Sequence, residues 1–275
     1  MKNNLREEAL SRVMIAAHRG VSGGNIPCNT ISAFDAAINQ GADIIELDAA
    51  CSRDGKLFVF HPGMEPAHLC SDKYIRDMTA DEISGLRYCN QDNTPTEHGV
   101  SAMDDVLEHL KGRCYINIDK FNENTELICE TIRRHGMIDQ VLAKTGFDEQ
   151  VLLYLERYAP DIPYMVMLHE KDEVSPLLMK RKINYVGAEV IFTNECADVA
   201  SGSYISYMHG NKLLLWVNAI VYDYRAIMAA GHNDDISVAG RQEDGWGWLI
   251  SRRYNIIQTD WPLALKCFMS RREIT

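Results

Sequence analysis

The chain has 275 residues, 46% of them hydrophobic and 24% charged, and a formal net charge of −11. That balance is ordinary for a globular fold and excludes a disordered chain. The negative excess argues against a nucleic-acid surface or a face that docks on anionic lipid, so an anionic ligand must be held locally by an ion and a few cationic groups.

Residues 1–12 are charged and carry no apolar leader, and no run approaches the roughly 20 apolar residues of a membrane span. The expected compartment is the cytoplasm, with the eight scattered cysteines as reduced thiols. The first strand is predicted over 13–18, where Met14-Ile15-Ala16-Ala17 leads into His18-Arg19-Gly20. A helix is expected over 30–40. A strand over 43–48 then carries Glu46-x-Asp48, and residues two apart on a strand project from one face. Two hard oxygen ligands side by side suit Mg²⁺ or Ca²⁺. Leu57-Phe58-Val59-Phe60 leads into His61 at the end of a strand over 57–61. His18 and His61 are groups that exchange protons near neutral pH.

Residues 62–102 are too long for an ordinary strand-to-helix loop. They carry a capping box, Thr79-Ala80-Asp81-Glu82, before a short helix, and read as an excursion over the mouth of the fold. A helix over 103–111 and a strand over 114–119 follow, and Asn117 and Asp119 share one face of that strand. Asp119 is a third carboxylate for the ion. Further strands are expected at 140–144, 163–168, 186–193, 213–218 and 255–260, with helices at 124–135, 148–158, 173–181, 222–230 and 262–271. His232 to Gly245 is polar and glycine-containing, and reads as a mobile loop on the same face.

Alternating strands and helices imply a parallel sheet. The number of units, the polar residues at several strand ends and the lack of a glycine-rich nucleotide loop favour a closed TIM-like (β/α)8 barrel over an open doubly wound sheet. The expected organisation is one domain, 1–275, with 62–102 as a small insertion after the second strand.

Several motifs occur in order. They are His18-Arg19-Gly20, Asn29-Thr30 with Ala33-Phe34 and Ala37, Gly41-Ala42-Asp43, Glu46-x-Asp48, Asp54-Gly55 and His61. The strand ending at Asp119, Trp216-x-Asn218 and Thr259-Asp260-x-Pro262 complete the set. With these pieces the chain resembles the glycerophosphodiester phosphodiesterase family over nearly its whole length. The resemblance implies hydrolysis of a small-molecule glycerophosphodiester to sn-glycerol 3-phosphate and an alcohol. It also implies a divalent cation on Glu46, Asp48 and Asp119, with His18 and His61 as the acid–base pair and Arg19 on the phosphate. Trp216 is expected to line the substrate pocket, whereas Asp260, ahead of Trp261-Pro262, reads as a cap on the final helix. Two other readings stay open at this level: a phospholipase-D-like phosphodiesterase or transesterase on another headgroup, and a phosphate-ligand-binding barrel without turnover.

Three positions depart from the family pattern. Cys28 stands where Glu usually precedes Asn-Thr, and a small neutral group is expected there. Pro62 follows His61 where Asp is common, so an orienting partner for His61 must come from elsewhere. The third carboxylate is the shorter Asp119, and Phe121 stands in the place of a lysine. Lys120 replaces that lysine if the strand ends at Asp119; otherwise Lys144 from the next strand serves. His98, His109, His135, His209 and His232 read as surface or capping groups, while His68 lies where it can face the mouth.

Overall fold

A computed structural model describes residues 5–272. Among the described residues there are ten strands: β1 (Met14–His18), β2 (Ile44–Cys51), β3 (Leu57–Val59), β4 (Ser101–Ala102), β5 (Tyr115–Asp119), β6 (Val141–Thr145), β7 (Pro163–His169), β8 (Asn184–Ile191), β9 (Leu214–Asn218) and β10 (Ile256–Thr259). Eight of them pair in parallel in the order β1-β2-β5-β6-β7-β8-β9-β10, and β10 closes on β1. This is the TIM-like barrel.

The two-residue period of each strand divides the barrel into an outer and an inner face. Ile15, Ala17, Ile45, Leu47, Ile116 and Ile118 point outward into the main core under the helices. Met14, Ala16, Ile44, Tyr115, Leu142, Met165 and Trp216 point inward and fill the barrel. The charged lead-in contains a helix, Leu5–Ser11, whose Leu5 and Ala9 join that interior cluster and stopper the end away from the mouth. Toward the other end the inward positions turn polar: His18, Glu46, Asp48, Asn117, Asp119, Lys144, Glu189 and Asn218. Strand register places His18 opposite Glu46, Glu46 opposite Asn117 and Asp48 opposite Asp119.

The strand expected over 57–61 is not a barrel strand. Gly55 and Ser52 close a turn after β2, and β3 runs back antiparallel to it, with β4 antiparallel to β3 in turn. The excursion therefore starts at the end of β2, before residue 62. Phe58, Phe60, Ile75, Met78, Ile83 and Tyr88 give it a small core of its own. Its helix Ala80–Ser84 has the expected capping box of Thr79 and Glu82.

Two later expectations are also corrected. Residues 222–230 do not form a helix, because the backbone there pairs with Phe192: Phe192 N–H donates to the Met228 carbonyl and Ala230 N–H donates to the Phe192 carbonyl. The neighbouring segment 232–245, expected as a mobile loop, holds the helix Asp234–Val238 and the start of a π-helical turn, Glu243–Gly247. It is pinned by the buried Asp234, Ser237 and Trp246. The helix expected over 173–181 is a single turn, Ser175–Leu178. Among the described residues no helix is long and apolar enough to cross a membrane.

Candidate active site

The chain turns sharply as β1 ends at His18. Arg19 and Gly20 both lie in the left-handed region, with φ of 54° and 78°. A Cβ on Gly20 would sit 2.7 Å from the Ala33 carbonyl carbon, so only glycine lets this turn pack on the helix Ile31–Asn39. The turn carries Arg19 across the strand ends. Its N–H donates to Glu46 Oε2 at 2.9 Å, and its Nε lies 3.0 Å from Asp48 Oδ2. Asn29, also left-handed, donates from Nδ2 to Asp48 Oδ2 at 2.8 Å and accepts the Asp48 N–H at 3.3 Å. The H-R-G and N-T motifs thus fix the E-x-D pair. Asp48 Oδ1 is left buried with no hydrogen-bond partner, 4.0 Å from His61 Nε2. His61 reaches that place because the hairpin continues past β3, with Phe60 N–H donating to the Asp48 carbonyl.

Glu46, Asp48 and Asp119 offer oxygens that all lie within 4.8 Å of one another. Burial, followed by the charges of Asp48 and Asp119, pushes the Glu46 carboxyl up to about 7. Three hard oxygens crowded together, one of them without a partner, are a donor set that fits a divalent cation.

Two lysines approach the cluster. Lys120 is left-handed, which ends the strand at Asp119 and brings Nζ to 3.3 Å from Asp119 Oδ2. Lys144 is buried, with Nζ 2.5 Å from Glu189 Oε2 and 4.3 Å from the centre of the Trp216 ring. Glu189 also accepts from Asn218 Nδ2. Burial opposes a charge on Asp119, but Lys144 and Lys120 hold its carboxyl below the usual range. Trp216 does not line the pocket. It is fully buried, and its Nε1 donates to Gln258 Oε1 at 3.0 Å and Asn218 Oδ1 at 3.2 Å. It lies inside the barrel, two residues short of the strand end, beneath the Lys144 ammonium.

Asp260 is likewise not a helix cap. The helix Pro262–Arg271 has no side-chain cap, and Asp260 Oδ1 instead holds His18 Nδ1 at 2.9 Å. Asp234 aims it: Oδ2 accepts the Asp260 N–H at 2.8 Å, and Oδ1 accepts Thr259 Oγ1 at 2.8 Å and Trp246 Nε1 at 2.7 Å. Sequence reasoning missed Asp234 because it stands in a segment read as loop; its one local signal is the Asn233 cap before it.

Burial opposes a charge on His18, yet the Asp260 bond and the Glu46 charge outweigh it and raise the pKa. His61 moves the other way: burial lowers its pKa, Asp48 opposes, and Arg19 and Lys120 add to the fall. Burial pushes the Cys28 thiol up to about 11, so it stands as a neutral group. His68 lines the groove that opens from His18 and Arg19.

The model of the glycerophosphoryl diester phosphodiesterase family matches residues 18–197, and a model of a domain of unknown function matches 164–269. YqiK of Bacillus subtilis is 30% identical over 161 residues, which are 56% of this chain and 65% of YqiK, so the match spans a little under two thirds of that relative. A glycerophosphodiester phosphodiesterase of Caldanaerobacter subterraneus is 25% identical over 230 residues, 80% of this chain and 91% of that one. The fold is shared with a glycerophosphoryl diester phosphodiesterase of Parabacteroides distasonis (TM-score 0.78, 16% identity, 98% of this chain and 93% of that one). It is shared also with an Oleispira antarctica phosphodiesterase solved with its product sn-glycerol 3-phosphate (TM-score 0.69, 16% identity, 95% of this chain and 99% of that one). With a family match that covers most of the chain, on the fold its solved relatives share, this protein belongs to the glycerophosphoryl diester phosphodiesterase family.

Proposed function

We propose that the protein hydrolyses glycerophosphodiesters to sn-glycerol 3-phosphate and an alcohol, with Glu46, Asp48 and Asp119 holding a divalent cation and His18 and His61 exchanging the protons. The observation that carries this reading is the convergence of three carboxylates, with Asp48 Oδ1 unpartnered, beside His61 and next to His18. Family membership supports it, as does the product bound to the Oleispira relative. Mg²⁺ and Ca²⁺ both suit the oxygen donors. Such an ion supplies charge neutralisation and Lewis acidity at the phosphate.

Arg19 presents planar donors suited to a phosphate. Lys120, freed from the strand by its left-handed turn, takes the phosphate-binding place that Phe121 leaves empty. Lys144, tied to Glu189, balances the carboxylates from within the barrel. His18 lines the groove that leads away from the site, and Asp260 holds its Nδ1. That leaves Nε2 to give a proton to the departing alcohol. His61 stands against Asp48, and its lowered pKa keeps the ring neutral to accept a proton from the attacking hydroxyl. Residues 62–102, packed beside this mouth, complete one catalytic unit with the barrel.

The test is incubation with glycerophosphocholine, glycerophosphoethanolamine and glycerophosphoinositol in Mg²⁺, Ca²⁺ or EDTA, followed by assay of sn-glycerol 3-phosphate. Product that disappears with EDTA is expected. No product under either metal would overturn the hydrolysis, and product insensitive to EDTA would remove the cation.

A further inference from the structure

A groove of about 910 Å³ runs from His18, Arg19 and Asp260 along the final helix. That volume lies near the top of the range for clefts that enclose a drug-sized molecule, and exceeds what a small amino alcohol fills. Its wall carries Tyr222 and Trp261, which are 67% and 50% exposed. Aromatic faces left to water beside a catalytic histidine take either a quaternary ammonium or the C–H face of a ring.

Charge decides between these. Arg19 and Arg271 line the groove, and Arg271 has no ion pair among the described residues. The one lining carboxylate, Asp260, is engaged by His18 at 2.9 Å. An ammonium would meet two rings but also the guanidinium of Arg271, since Arg19 is the one already countered, by Asp48. The remaining polar wall includes the amides of Gln40 and Gln242, which both donate to and accept from hydroxyls. An acyl chain would satisfy the rings and leave those amides facing hydrocarbon.

We propose that this groove receives the leaving alcohol and selects an uncharged polyhydroxylated ring, a cyclitol or sugar, that stacks on Tyr222 and Trp261. The inference rests on the hydrolase reading above. It is tested with the full chain on glycerophosphoinositol, glycerophosphocholine and lysophosphatidylcholine under one metal. The kcat/KM for the inositol diester is expected to exceed that for the choline diester about tenfold. Tyr222→Ala and Trp261→Ala should each cut that ratio by about threefold to tenfold, in keeping with one ring contact. Arg271→Glu should move the ratio toward choline. An equal or higher kcat/KM for the choline diester or the lysophospholipid overturns the inference, as does a ratio that none of the three variants moves. If no substrate turns over, it is the hydrolase reading that fails, and calorimetric titration of the intact diesters decides the groove separately. Tighter binding of glycerophosphoinositol, weakened in Tyr222→Ala, upholds the groove; no preference over glycerophosphocholine overturns it.

Discussion

Lys144→Met removes half of an ion pair that the barrel almost completely encloses. The Lys144 and Glu189 side chains are each 4% exposed and 2.5 Å apart. After the change Glu189 keeps its Asn218 donor but has no countercharge where water does not reach. Breaking a buried pair from one side costs about 3–5 kcal/mol. The lost cation–π contact with Trp216, at 4.3 Å, adds about 1–2 kcal/mol because it is desolvated. Those losses are a large share of the roughly 5–15 kcal/mol that holds a domain together. In the double variant Lys144→Met/Glu189→Gln the enclosed Glu189 charge leaves with its partner and the amide still accepts from Asn218, so a substantial part of the loss should return, although Asp119 and Glu46 still lack the Lys144 charge. Urea denaturation of wild type, single and double variants in metal-free buffer measures this, since a bound ion would itself add stability to the native state. A single variant that loses less than about 1 kcal/mol, within the ordinary range of mutations, would refute the reasoning. So would a double variant no more stable than the single one.

His18→Ala and His61→Ala should each lower kcat by roughly 10²–10⁴-fold, the range of a general acid or base, and a near-normal steady-state rate in either removes that residue from the mechanism. Asp260→Asn removes the group that raises the His18 pKa, so the alkaline limb of the kcat–pH profile should move to lower pH; a limb that stays put or moves up contradicts His18 as the acid. The sign carries over to stability. With its pKa raised above the unfolded value of about 6.5, His18 stabilises the fold below that pH and loses the contribution as pH rises through the raised value. Asp234→Asn should lower kcat with KM little changed, because it loosens Asp260 behind His18 without touching the phosphate groups. Trp246→Phe, which removes one of the three donors to Asp234, should lower it less, and equal effects on KM and kcat would mean a merely structural role.

Much of this site is written locally. The two-residue period of a strand puts Glu46 and Asp48 on one face wherever the strand lies, and apolar runs ending in His18 and His61 mark strand ends without knowledge of their neighbours. The β-then-α rhythm likewise implies a parallel sheet, since each unit must bury its apolar face against the next, and the number of units with polar strand ends favours its closure into a barrel. Depth, direction and long-range pairing are different in kind. Trp216 has the same sequence character whether it lines a pocket or fills the barrel, and only its layer in the closed sheet makes it interior. β3 runs backward because a turn at Ser52–Gly55 sends it there, which its apolar pattern does not encode. The apolar spacing of 222–230 suits a helix, but the backbone is engaged by Phe192 instead. The bond from Asp260 to His18 joins residues 242 positions apart, with Asp234 behind it, and the Lys144–Glu189 pair links β6 to β8 past β7 inside the barrel. Periodicity follows from the backbone geometry of each segment. These contacts follow from barrel closure and the burial of charge it imposes, so they exist only once all eight strands have found their register.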